Sequence, residues 1–583
     1  MGPQWEGAQP RGMQFDRNLI ASDESFTFLG DGELGGKAAG LAFIKQTIDE
    51  RFPGNSFESL RVDIPRMTVL RTGLFERFLH YNEIDTAALA DLADEQIARR
   101  FQKADLPAAI VGDLMALIRA TRAPLAVRSS SLLEDALYEP FAGVYATKMI
   151  PNNQPDSESR FRKLMEAIKF VYASTYFRKA REYCLATDHD LAQERMAVII
   201  QEVVGYRFDS KFYPTVSGVA RSFTFYPSGP ARREEGVVHL ALGLGKTIVD
   251  GGAAWSYSPA HPRNPPPYTS LRELAKNTQT RYWAVNLGQP AEYDPLHENE
   301  YLVQADLAEA ESEGSLGYVC STYDPDSDRL NMGLSGSGPR LLDFAPILQG
   351  RIVPLSELLQ ALLAMSRERV GAEVELEFAL AFDPARSRQG RFGFLQVRPM
   401  AVHSAPTELG LDKLDPERIL VRSDSVLGAG VLEGLRHIVY VKPRQFDAAE
   451  TPRIAQELER INARLLAEHT PYILIGFGRW GSADPWLGIP VNWSQICAAR
   501  AIVEGTLPQM NPDLSQGSHF FHNLSSLGVP YFSVPHAERE GIRWDWLESL
   551  PAMEETALLR HVVSPDGLRI AVDGKSGKGV ITR

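Results

Sequence analysis

A histidine between a polar loop and an apolar segment is the first pattern that could do chemistry. His519 follows a Ser-Gln-Gly-Ser run at 515–518 and precedes an apolar segment that ends in a Gly-Val-Pro turn at 528–530. At the start of a helix, an imidazole nitrogen faces solvent or a phosphoryl group, with helix N–H groups behind it. A histidine that only caps the helix is the alternative interpretation.

Glycines followed by a lysine form a second pattern. Gly35 and Gly36 precede Lys37, and an Ala/Leu-rich helical pattern follows. Such a loop lets the backbone approach a phosphate group while the lysine supplies positive charge. The spacing is not that of a Walker A loop. A tight turn before a surface helix is the alternative.

An arginine with neighbouring hydroxyl groups ends a short apolar strand. Arg128 follows Leu-Ala-Val at 125–127 and precedes Ser129 and Ser130. A guanidinium group offers a planar fork for phosphate oxygens. Taken singly, the motif also fits a salt bridge between Arg128 and Glu134 at a strand–loop junction.

Alternating glutamates form a fourth pattern. A strand over 373–380 places Glu373, Glu375 and Glu377 on one face, opposite apolar residues. Carboxylates two residues apart on a strand suit Mg²⁺ held between the protein and phosphates. An exposed edge-strand face is the alternative. The same alternation places Gln396 and Arg398 on one face of a later strand.

Strand and helix patterns supply the elements that must position these residues. A linker at about 405–417 separates an alternating first part from a β-rich, glycine-punctuated second part. Residues 253–349 give no chemistry that can be assigned. The predicted helices cover 74–81, 87–120, 170–183, 355–370, 454–469 and 493–501, and predicted strands include 196–204, 373–380, 437–441 and 472–476.

Length and composition exclude several classes of protein. The chain has 583 residues, 44% hydrophobic and 23% charged, which predicts two to four globular domains. A net charge of −13 and a pI near 5.5 argue against nucleic acid or an acidic membrane as partners. Cys184, Cys320 and Cys497 lie far apart, which excludes a disulfide framework. We expect a cytoplasmic protein, because neither a signal peptide nor a membrane-spanning apolar run is apparent.

The order of the motifs resembles a known family. Gly-Gly-Lys at 35–37, Val-Arg-Ser-Ser at 127–130 and Phe-Ala-Gly at 141–143 resemble the ATP-binding half of the phosphoenolpyruvate synthase / pyruvate phosphate dikinase family. Later landmarks are similar to the family in the same order, at 196–204, 217–227, 242–252, 375–379 and 395–399. Lys246 departs from the family, which has glutamate there. The resemblance implies an ATP-grasp fold, in which two α+β lobes enclose the nucleotide.

The resemblance also implies roles for individual residues, with ATP and Mg²⁺ as cofactors. Backbone groups of the hinge strand would read the adenine, so the side chains there carry little information. The implied residues are Lys37, Arg128 and Arg398 for phosphates, Glu375, Glu377 and Gln396 for Mg²⁺ and nucleotide, and Gln201, Glu202 and Val204 beside the adenine.

The second part resembles the family's swivelling phosphohistidine domain. His519 is followed at the family spacing by Leu-Gly-Val-Pro at 527–530, and a Val-Asp-Gly turn at 572–574 lies in a similar terminal strand pair. Phe520, Phe521 and His522 replace smaller residues, and Ser525 replaces an arginine. The resemblance implies that His519 accepts the phosphoryl group, with His522 as a fallback acceptor or an orienting partner.

A loop rich in tryptophan and glycine at 478–486 has no strict counterpart in the dikinases. In it, Arg479, Trp480 and Trp486 form either a binding surface or a packed corner with both tryptophans buried.

Together these patterns predict an α+β / α/β protein with four parts. They are a disordered lead-in at 1–14, an ATP-grasp domain at 15–403, a linker at 404–417 and a smaller swivelling β/β/α domain at 418–583. The last part is shorter than the ~250 residues of the barrel that serves pyruvate in the dikinases.

We therefore expect an ATP-dependent phosphotransferase with a small-molecule or protein acceptor. A regulatory ATP-binding module without phosphoryl transfer and an ATP-grasp ligase are the alternatives.

Overall fold

The chain is divided into two units, and each of them consists of three segments of the sequence. The computed structural model describes residues 12–17, 25–135, 141–187, 189–266, 268, 270–289, 292–384, 389–402, 415–508, 510–512, 518–536, 541–574 and 576–583. Unit 1 comprises Met1–Ser222, Val237–Thr247 and Ala254–Pro399. Unit 2 comprises Phe223–Gly236, Ile248–Ala253 and Met400–Arg583. Two short segments from the first half of the chain therefore belong to unit 2.

Helices and strands alternate along unit 1. Its helices are α1 (Gly36–Arg51), α2 (Thr72–Tyr81), α3 (Asp94–Lys103), α4 (Ala108–Ala120), α5 (Ser157–Ser174), α6 (Arg178–Ala186), α7 (Lys246–Val249, which ends in unit 2), α8 (Leu271–Asn277), α9 (Leu307–Ser312), α10 (Ala345–Leu348) and α11 (Leu355–Val370). Its strands are β1 (Met13–Gln14), β2 (Phe26–Leu29), β3 (Ser56–Phe57), β4 (Leu60–Asp63), β5 (Met67–Leu70), β6 (Leu125–Ser131), β7 (Thr147–Ile150), β8 (Met196–Glu202), β9 (Tyr206–Phe208), β10 (Lys211–Tyr213), β11 (Val216–Arg221), β12 (Val237–Ala241), β13 (Trp255–Tyr257), β14 (Arg281–Asn286), β15 (Leu302–Asp306), β16 (Cys320–Asp324), β17 (Arg329–Met332), β18 (Arg340–Leu342), β19 (Glu373–Phe382) and β20 (Gly390–Met400).

Two sheets of unit 1 carry most of the site residues predicted from the sequence. One has the strand order β1-β2-β5-β8-β6-β7, and the other has the order β13-β12-β11-β19-β20-β4-β3. In the first sheet, Arg128 on β6 pairs with Ile199 on β8. In the second, Arg221 on β11 pairs with Glu375 on β19. There are two smaller sheets, β15-β14-β10-β9 and β17-β16-β18. All their strands except β9 and β10 come from the segment to which the sequence assigned no chemistry.

The alternation along β19 divides the strand as its sequence predicts. Val374, Leu376 and Phe378 are buried in the large apolar core, which also contains leucines of α11. The glutamates therefore share the opposite face, because successive strand side chains point to opposite sides. The core thus fixes which way the acidic face of β19 is turned.

Unit 2 is built on one large mixed sheet. The sheet has the order β21-β31-β30-β23-β24-β27-β28-β22, with β29 paired to β30. Neighbours in the series β23, β24, β27 and β28 are parallel, with α12 between the first two and α13 between the last two. The elements are β21 (Ile419–Ser423), β22 (Ser425–Leu427), β23 (Gly430–Val441), α12 (Thr451–Ala467), β24 (Tyr472–Phe477), β25 (Arg479–Trp480), β26 (Gly488–Ile489), β27 (Ala499–Gly505), α13 (His519–Ser526), β28 (Tyr531–Val534), α14 (Trp544–Ser549), β29 (Ala552–Glu555), β30 (Leu559–Asp573) and β31 (Lys578–Thr582).

Three predicted helices are corrected by the structure. The helix predicted over 170–183 is interrupted, because α5 ends at Ser174 and α6 begins at Arg178. The helix predicted over 87–120 is broken into a short 3₁₀ turn, α3 and α4, because Pro107 cannot continue a helix from the residues before it. The helix predicted over 493–501 is a single 3₁₀ turn at Trp493–Ile496, and strand β27 begins at Ala499. The β-branched pair Ile502 and Val503 fits a buried parallel strand better than a helix.

Several predicted segments fall partly outside the described residues. These are 1–11 of the lead-in, 403–414 of the linker and 515–517 of the loop before His519. At the end of the predicted lead-in, Met13–Gln14 pairs in parallel with β2. The stretch after β11 is not a strand: β11 ends at Arg221, and Phe223–Gly236 belongs to unit 2.

Candidate functional site

The N-terminus of α1 lies against the end of β6, and two glycines make this contact possible. A Cβ on Gly35 would lie 1.6 Å from the carbonyl oxygen of Ser130, and one on Gly36 would lie 1.7 Å from that of Glu134. Gly35 also has φ +74°, a conformation that other residues adopt at a cost. The Ala38 amide donates to the Ser130 Oγ at 3.0 Å. The Gly-Gly pair is therefore required by backbone contact.

Lys37 is buried where this contact places it. Its Nζ lies 2.5 Å from the Glu134 Oε1 and 3.1 Å from the Ser129 Oγ. The salt bridge between Arg128 and Glu134 that the sequence left open is not formed, because Glu134 pairs with Lys37 instead. Glu134 also accepts from the Ser131 amide at 2.9 Å, so it fixes the loop after β6.

Arg128 connects the two sheets of unit 1. Its Nη2 donates to the Gln396 Oε1 at 2.7 Å, and its Nη1 donates to the Leu395 carbonyl at 2.9 Å. Longer contacts reach the Gln201 Oε1 at 3.3 Å and the Glu377 Oε2 at 3.4 Å. Three residues implied by the family resemblance therefore contact the same guanidinium group.

Glu375 lies between two arginines. The Arg398 Nε donates to the Glu375 Oε1 at 2.7 Å, and the Arg221 Nε donates to the Glu375 Oε2 at 2.5 Å. All three side chains are almost fully buried. Glu377 is a more accessible carboxylate, 3.8 Å from the Arg398 Nη2. The two glutamates on one strand face thus have different surroundings.

Asp135 completes the cluster. The Gln396 Nε2 donates to both of its carboxyl oxygens, at 2.9 and 2.8 Å. Burial raises the pKa of Asp135 to about 7, although Arg398 and Lys37 act in the opposite direction. Burial therefore outweighs the neighbouring cations in its effect on this pKa.

These contacts join into what we call the charged network. It contains equal numbers of basic and acidic side chains, so its charges compensate one another when every acid is ionised. Its members are Lys37, Arg128, Arg221, Arg398, Glu134, Asp135, Glu375 and Glu377. Buried charges are stable only when they are paired, so an anion that enters here must replace carboxylates as partners of the arginines and the lysine.

Oxygen ligands for a metal are present at one edge of the network. Glu377 and Gln396 offer side-chain oxygens, the donor type that Mg²⁺ prefers. The carboxylate of Glu375 is held by two guanidinium groups. In the part of the chain that the structure describes, no group of three or more His, Cys, Asp or Glu side chains could hold a metal ion.

The predicted adenine-side residues lie at the end of β8. Gln201 is buried and turned towards Arg128. Glu202 is half-buried, and its amide donates to the Arg66 carbonyl at 3.0 Å. Val204 is buried in a small apolar cluster with Ala379 and Ala381. A second apolar cluster contains Ala126, Val203, Leu244 and Val285.

In unit 2, His519 is the first residue of α13. Ser518 caps the helix by accepting from the Phe521 amide at 3.2 Å. His519 is half-buried, whereas Phe520 and Phe521 are buried and His522 is fully buried. A short polar cap followed by an apolar pair therefore leaves His519 as the more accessible histidine of this helix.

The ring of Phe521 packs α13 against three other aromatic side chains. Its ring lies 5.8 Å from the Phe225 ring, 6.0 Å from the Tyr226 ring and 6.3 Å from the Tyr531 ring. Phe225 and Tyr226 come from the short segment Phe223–Gly236, which belongs to unit 2. In the tryptophan loop, Trp480 is buried and Trp486 is 70% exposed.

Sequence reasoning missed some members of the charged network. It assigned no role to Asp135 or Arg221, and it considered Glu134 only as a partner of Arg128. The Glu-Asp pair at 134–135 was a usable signal, because it lies in the loop that follows the Arg-Ser-Ser strand and therefore stays near the end of that strand. Arg221 gave no signal, since only the pairing of β11 with β19 brings it to Glu375.

Among the described residues, no helix combines the length and apolar character needed to span a membrane.

Comparison with known protein families places the charged network inside a known nucleotide-binding domain. A search of curated proteins finds no match. In a comparison with protein families, residues 32–418 match the family described as pyruvate phosphate dikinase, AMP/ATP-binding domain. The matched region covers more than half of the chain and contains every member of the network. The chain therefore belongs to the pyruvate phosphate dikinase family and carries its AMP/ATP-binding domain.

Proposed function

We propose that this protein is an ATP-dependent phosphotransferase that moves a phosphoryl group from Mg-ATP to His519 and then to a small-molecule or protein acceptor. The observation that carries the proposal is the charged network, which gathers a lysine and three arginines inside the matched AMP/ATP-binding domain.

The cations of the network are the proposed phosphate ligands. Arg128 and Lys37 now contact Gln396 and Glu134, and both can turn their donors to phosphate oxygens. A guanidinium group binds such oxygens in a fork, whereas the ammonium group acts as a point charge. Arg398 contributes positive charge from behind Glu375. Bound phosphates thereby gain partners that are already oriented, which lowers the cost of neutralising charge during transfer.

We propose that Mg²⁺ binds together with the nucleotide. Glu377 and Gln396 would hold it together with phosphate oxygens, which suits an ion that keeps few protein ligands. When bound, the ion neutralises negative charge on the phosphates. Glu375 is proposed to keep Arg221 and Arg398 in place and to contribute to the metal only after one of them moves.

The apolar clusters at the end of β8 are the proposed adenine side of the site. Val203 belongs to one cluster and Val204 to the other, and Glu202 precedes them in the chain. Apolar walls with backbone polar groups are the usual environment of a bound base. The network and the clusters therefore divide the nucleotide into a charged end and an apolar end.

His519 is the proposed phosphoryl carrier. Near neutral pH, a neutral imidazole is a nucleophile, and its half-buried position on α13 leaves it accessible. In the transfer, an N–P bond forms at His519 as an O–P bond of ATP breaks, and the nucleotide leaves with the electron pair. His522 is fully buried, so it is the less suitable acceptor and is proposed to support the helix.

Labelled ATP tests this function. We expect purified protein incubated with Mg²⁺ and β- or γ-labelled ATP to acquire acid-labile, base-stable label. The His519→Ala variant should lose the label, while His522→Ala should keep it if the protein folds normally by circular dichroism.

Different results would favour other functions. Nucleotide binding without label under any condition would contradict the transferase and favour a regulatory ATP-binding module. ADP release that requires an added carboxylate and amine would favour an ATP-grasp ligase.

A further inference from the structure

A small cavity in unit 2 lies beside the first turn of α13. It has a volume of about 10 Å³, which is room for about one water molecule. All of its lining residues belong to unit 2. Ser518 and Phe520, the two neighbours of His519 in the chain, contribute to its wall, together with Arg479, Trp480, Glu504 and Tyr531.

A buried carboxyl group in this cavity is only half satisfied. Glu504 on β27 is 3% exposed. Its Oε2 accepts a hydrogen bond from the Tyr531 hydroxyl group. Its Oε1 has no hydrogen-bond partner among the described residues. Buried polar atoms are normally paired, so an unpaired carboxyl oxygen in a cavity indicates a place for a hydrogen-bond donor that is not part of the protein.

A second polar atom supports this interpretation. The hydroxyl group of Tyr226, another lining residue, is buried and has no partner among the described residues. A ligand hydroxyl group can both donate and accept, so it can serve a carboxyl oxygen and a phenol at the same time.

The loop that the sequence singled out also contributes to the lining of the cavity. The Arg479 Nη1 donates to the carbonyls of Gly251 and Gly252 at 3.1 and 2.9 Å. The Trp480 Nε1 donates to the Val503 carbonyl at 3.2 Å. The guanidinium group beside Glu504 disfavours a cationic ligand, so a neutral hydroxyl group is a better occupant than an ammonium group.

We propose that this cavity is the acceptor subsite of the protein, that it receives the hydroxyl group of an alcohol, and that Glu504 is the base that accepts the hydroxyl proton. This inference rests on the proposed function of His519. In the transfer, the N–P bond at His519 breaks and an O–P bond to the alcohol forms. The hydroxyl proton moves to the Glu504 carboxylate, and the N–P electron pair stays on the imidazole.

The protonation behaviour of Glu504 suits this role. Burial raises the pKa of Glu504 to about 7, while the Tyr531 hydroxyl group, Arg479 and the Trp480 backbone act to lower it. A base with a pKa near the working pH can both accept a proton and release it afterwards.

Methanol, the smallest alcohol, is a suitable probe. Full-length protein is labelled on His519 and then chased in buffer with methanol, and methyl phosphate is separated from inorganic phosphate. We expect methyl phosphate from the wild type and at least a tenfold lower rate of its formation from Glu504→Gln, with labelling of His519 within twofold of the wild type. Tyr226→Phe, which loses only a hydroxyl group, should raise the methanol concentration needed for half-maximal transfer.

Glu194→Gln is the matched control. Glu194 is also a buried carboxyl group that accepts from a tyrosine hydroxyl, that of Tyr145 at 2.9 Å, but it belongs to unit 1. This variant should transfer to methanol at the wild-type rate. Equal rates for Glu504→Gln and the wild type, or no methyl phosphate from labelled wild type, would overturn the acceptor subsite.

A structural readout separates this inference from the proposed function. If His519 takes no label, phosphoryl transfer fails, but crystals of the full chain soaked in methanol still test the cavity. Methanol within hydrogen-bonding distance of the Glu504 Oε1, and its absence in Glu504→Gln crystals, would support an alcohol subsite. A water molecule alone or an empty cavity under the same soak would overturn it.

Discussion

At the scale of single residues, the charged network keeps the cations that we propose as phosphate ligands ordered by other partners. Each cation in it is already held by an oxygen acceptor, so its side chain is ordered and its charge is compensated. Arg128 is the clearest case, because its two terminal nitrogens reach four different acceptors. A phosphate that enters replaces some of these acceptors and needs to order little else.

Arg128→Lys tests the importance of the fork at this position. Lysine keeps the charge but cannot contact Gln396 and Leu395 with two nitrogens of fixed geometry. Because a hydrogen bond to a charged group contributes about 1.5–3 kcal/mol, we expect ATP affinity to fall by about tenfold or more. Isothermal titration calorimetry measures the change.

The matched control for this prediction is Arg122→Lys. Arg122 makes an exposed contact with the Gln154 carbonyl at 3.4 Å and lies outside the network. We expect this variant to bind ATP like the wild type. Equal losses in the two variants would contradict a specific role for the Arg128 fork.

At the scale of elements, the position of Lys37 depends on how closely α1 approaches β6. A methyl group on Gly35 would overlap the Ser130 carbonyl at 1.6 Å, so Gly35→Ala must displace the helix. We expect ATP affinity to fall by at least tenfold and the protein to lose about 2 kcal/mol or more of stability.

Gly371→Ala is the control, because Gly371 has the same φ of +74° but open space around its Cβ position. It should lose about 1 kcal/mol and bind ATP normally, as denaturant titration and calorimetry can show.

A histidine pair between β23 and β30 makes unit 2 sensitive to acid. The His437 Nδ1 lies 3.0 Å from the His561 Nε2, and burial lowers the pKa of His561 from 6.5 to about 4. His437 and Arg464 lower this pKa further, while Glu554 and Glu468 oppose them. Between these two pKa values, the unfolded chain binds more protons than the folded one, so stability falls as the pH drops from 6.5 to 4.

His561→Gln tests this acid sensitivity. We expect the wild type to lose about 3 kcal/mol across this pH range through His561, and the variant to lose much less of it. Urea unfolding of unit 2 at a series of pH values measures the slope. An unchanged slope in the variant would show that other groups cause the acid sensitivity.

At the scale of the whole molecule, the two units do not follow one another along the chain. Two segments from its first half belong to unit 2. The family match ends at residue 418, yet Phe223–Gly236 and Ile248–Ala253 within it are part of unit 2. These segments supply Phe225 and Tyr226 to the ring of Phe521, and Gly251 and Gly252 to Arg479. The α13 helix thus depends on residues that lie almost three hundred positions earlier in the sequence.

Phe225→Ala tests this dependence. Phe225 is 5% exposed, and removing a buried phenylalanine ring costs about 3–5 kcal/mol. We expect faster amide hydrogen exchange in β27, α13 and β28, with little change in β5, β6 and β8. Phe57→Ala, at a half-buried phenylalanine of unit 1, should leave exchange in unit 2 unchanged. Faster exchange only in unit 1 for Phe225→Ala would contradict the assignment of this segment.

Short-range patterns account for what could be predicted. The helix Leu355–Val370, the acidic face of β19 and a helix that begins at His519 follow from local patterns, and the structure has all three. The cap of that helix is Ser518 and not the histidine. The Arg-Ser-Ser motif placed Arg128 on a strand, as the structure has it, but did not reveal its partners. The predicted packed corner at 478–486 holds for Trp480 and not for Trp486, because local composition does not reveal which ring finds a cavity to fill.

The sequence by itself determined the family, the positions of the main phosphate-binding candidates and the helix that begins at His519, because each depends on residues close together in the chain. Only the tertiary structure decided that Glu134 pairs with Lys37, that Arg221 and Arg398 share Glu375, and that Glu504 lies in a cavity beside α13. Those pairings join residues far apart in the sequence. Burial selects them, since a charge removed from water requires a partner, and only the fold determines which partner is near.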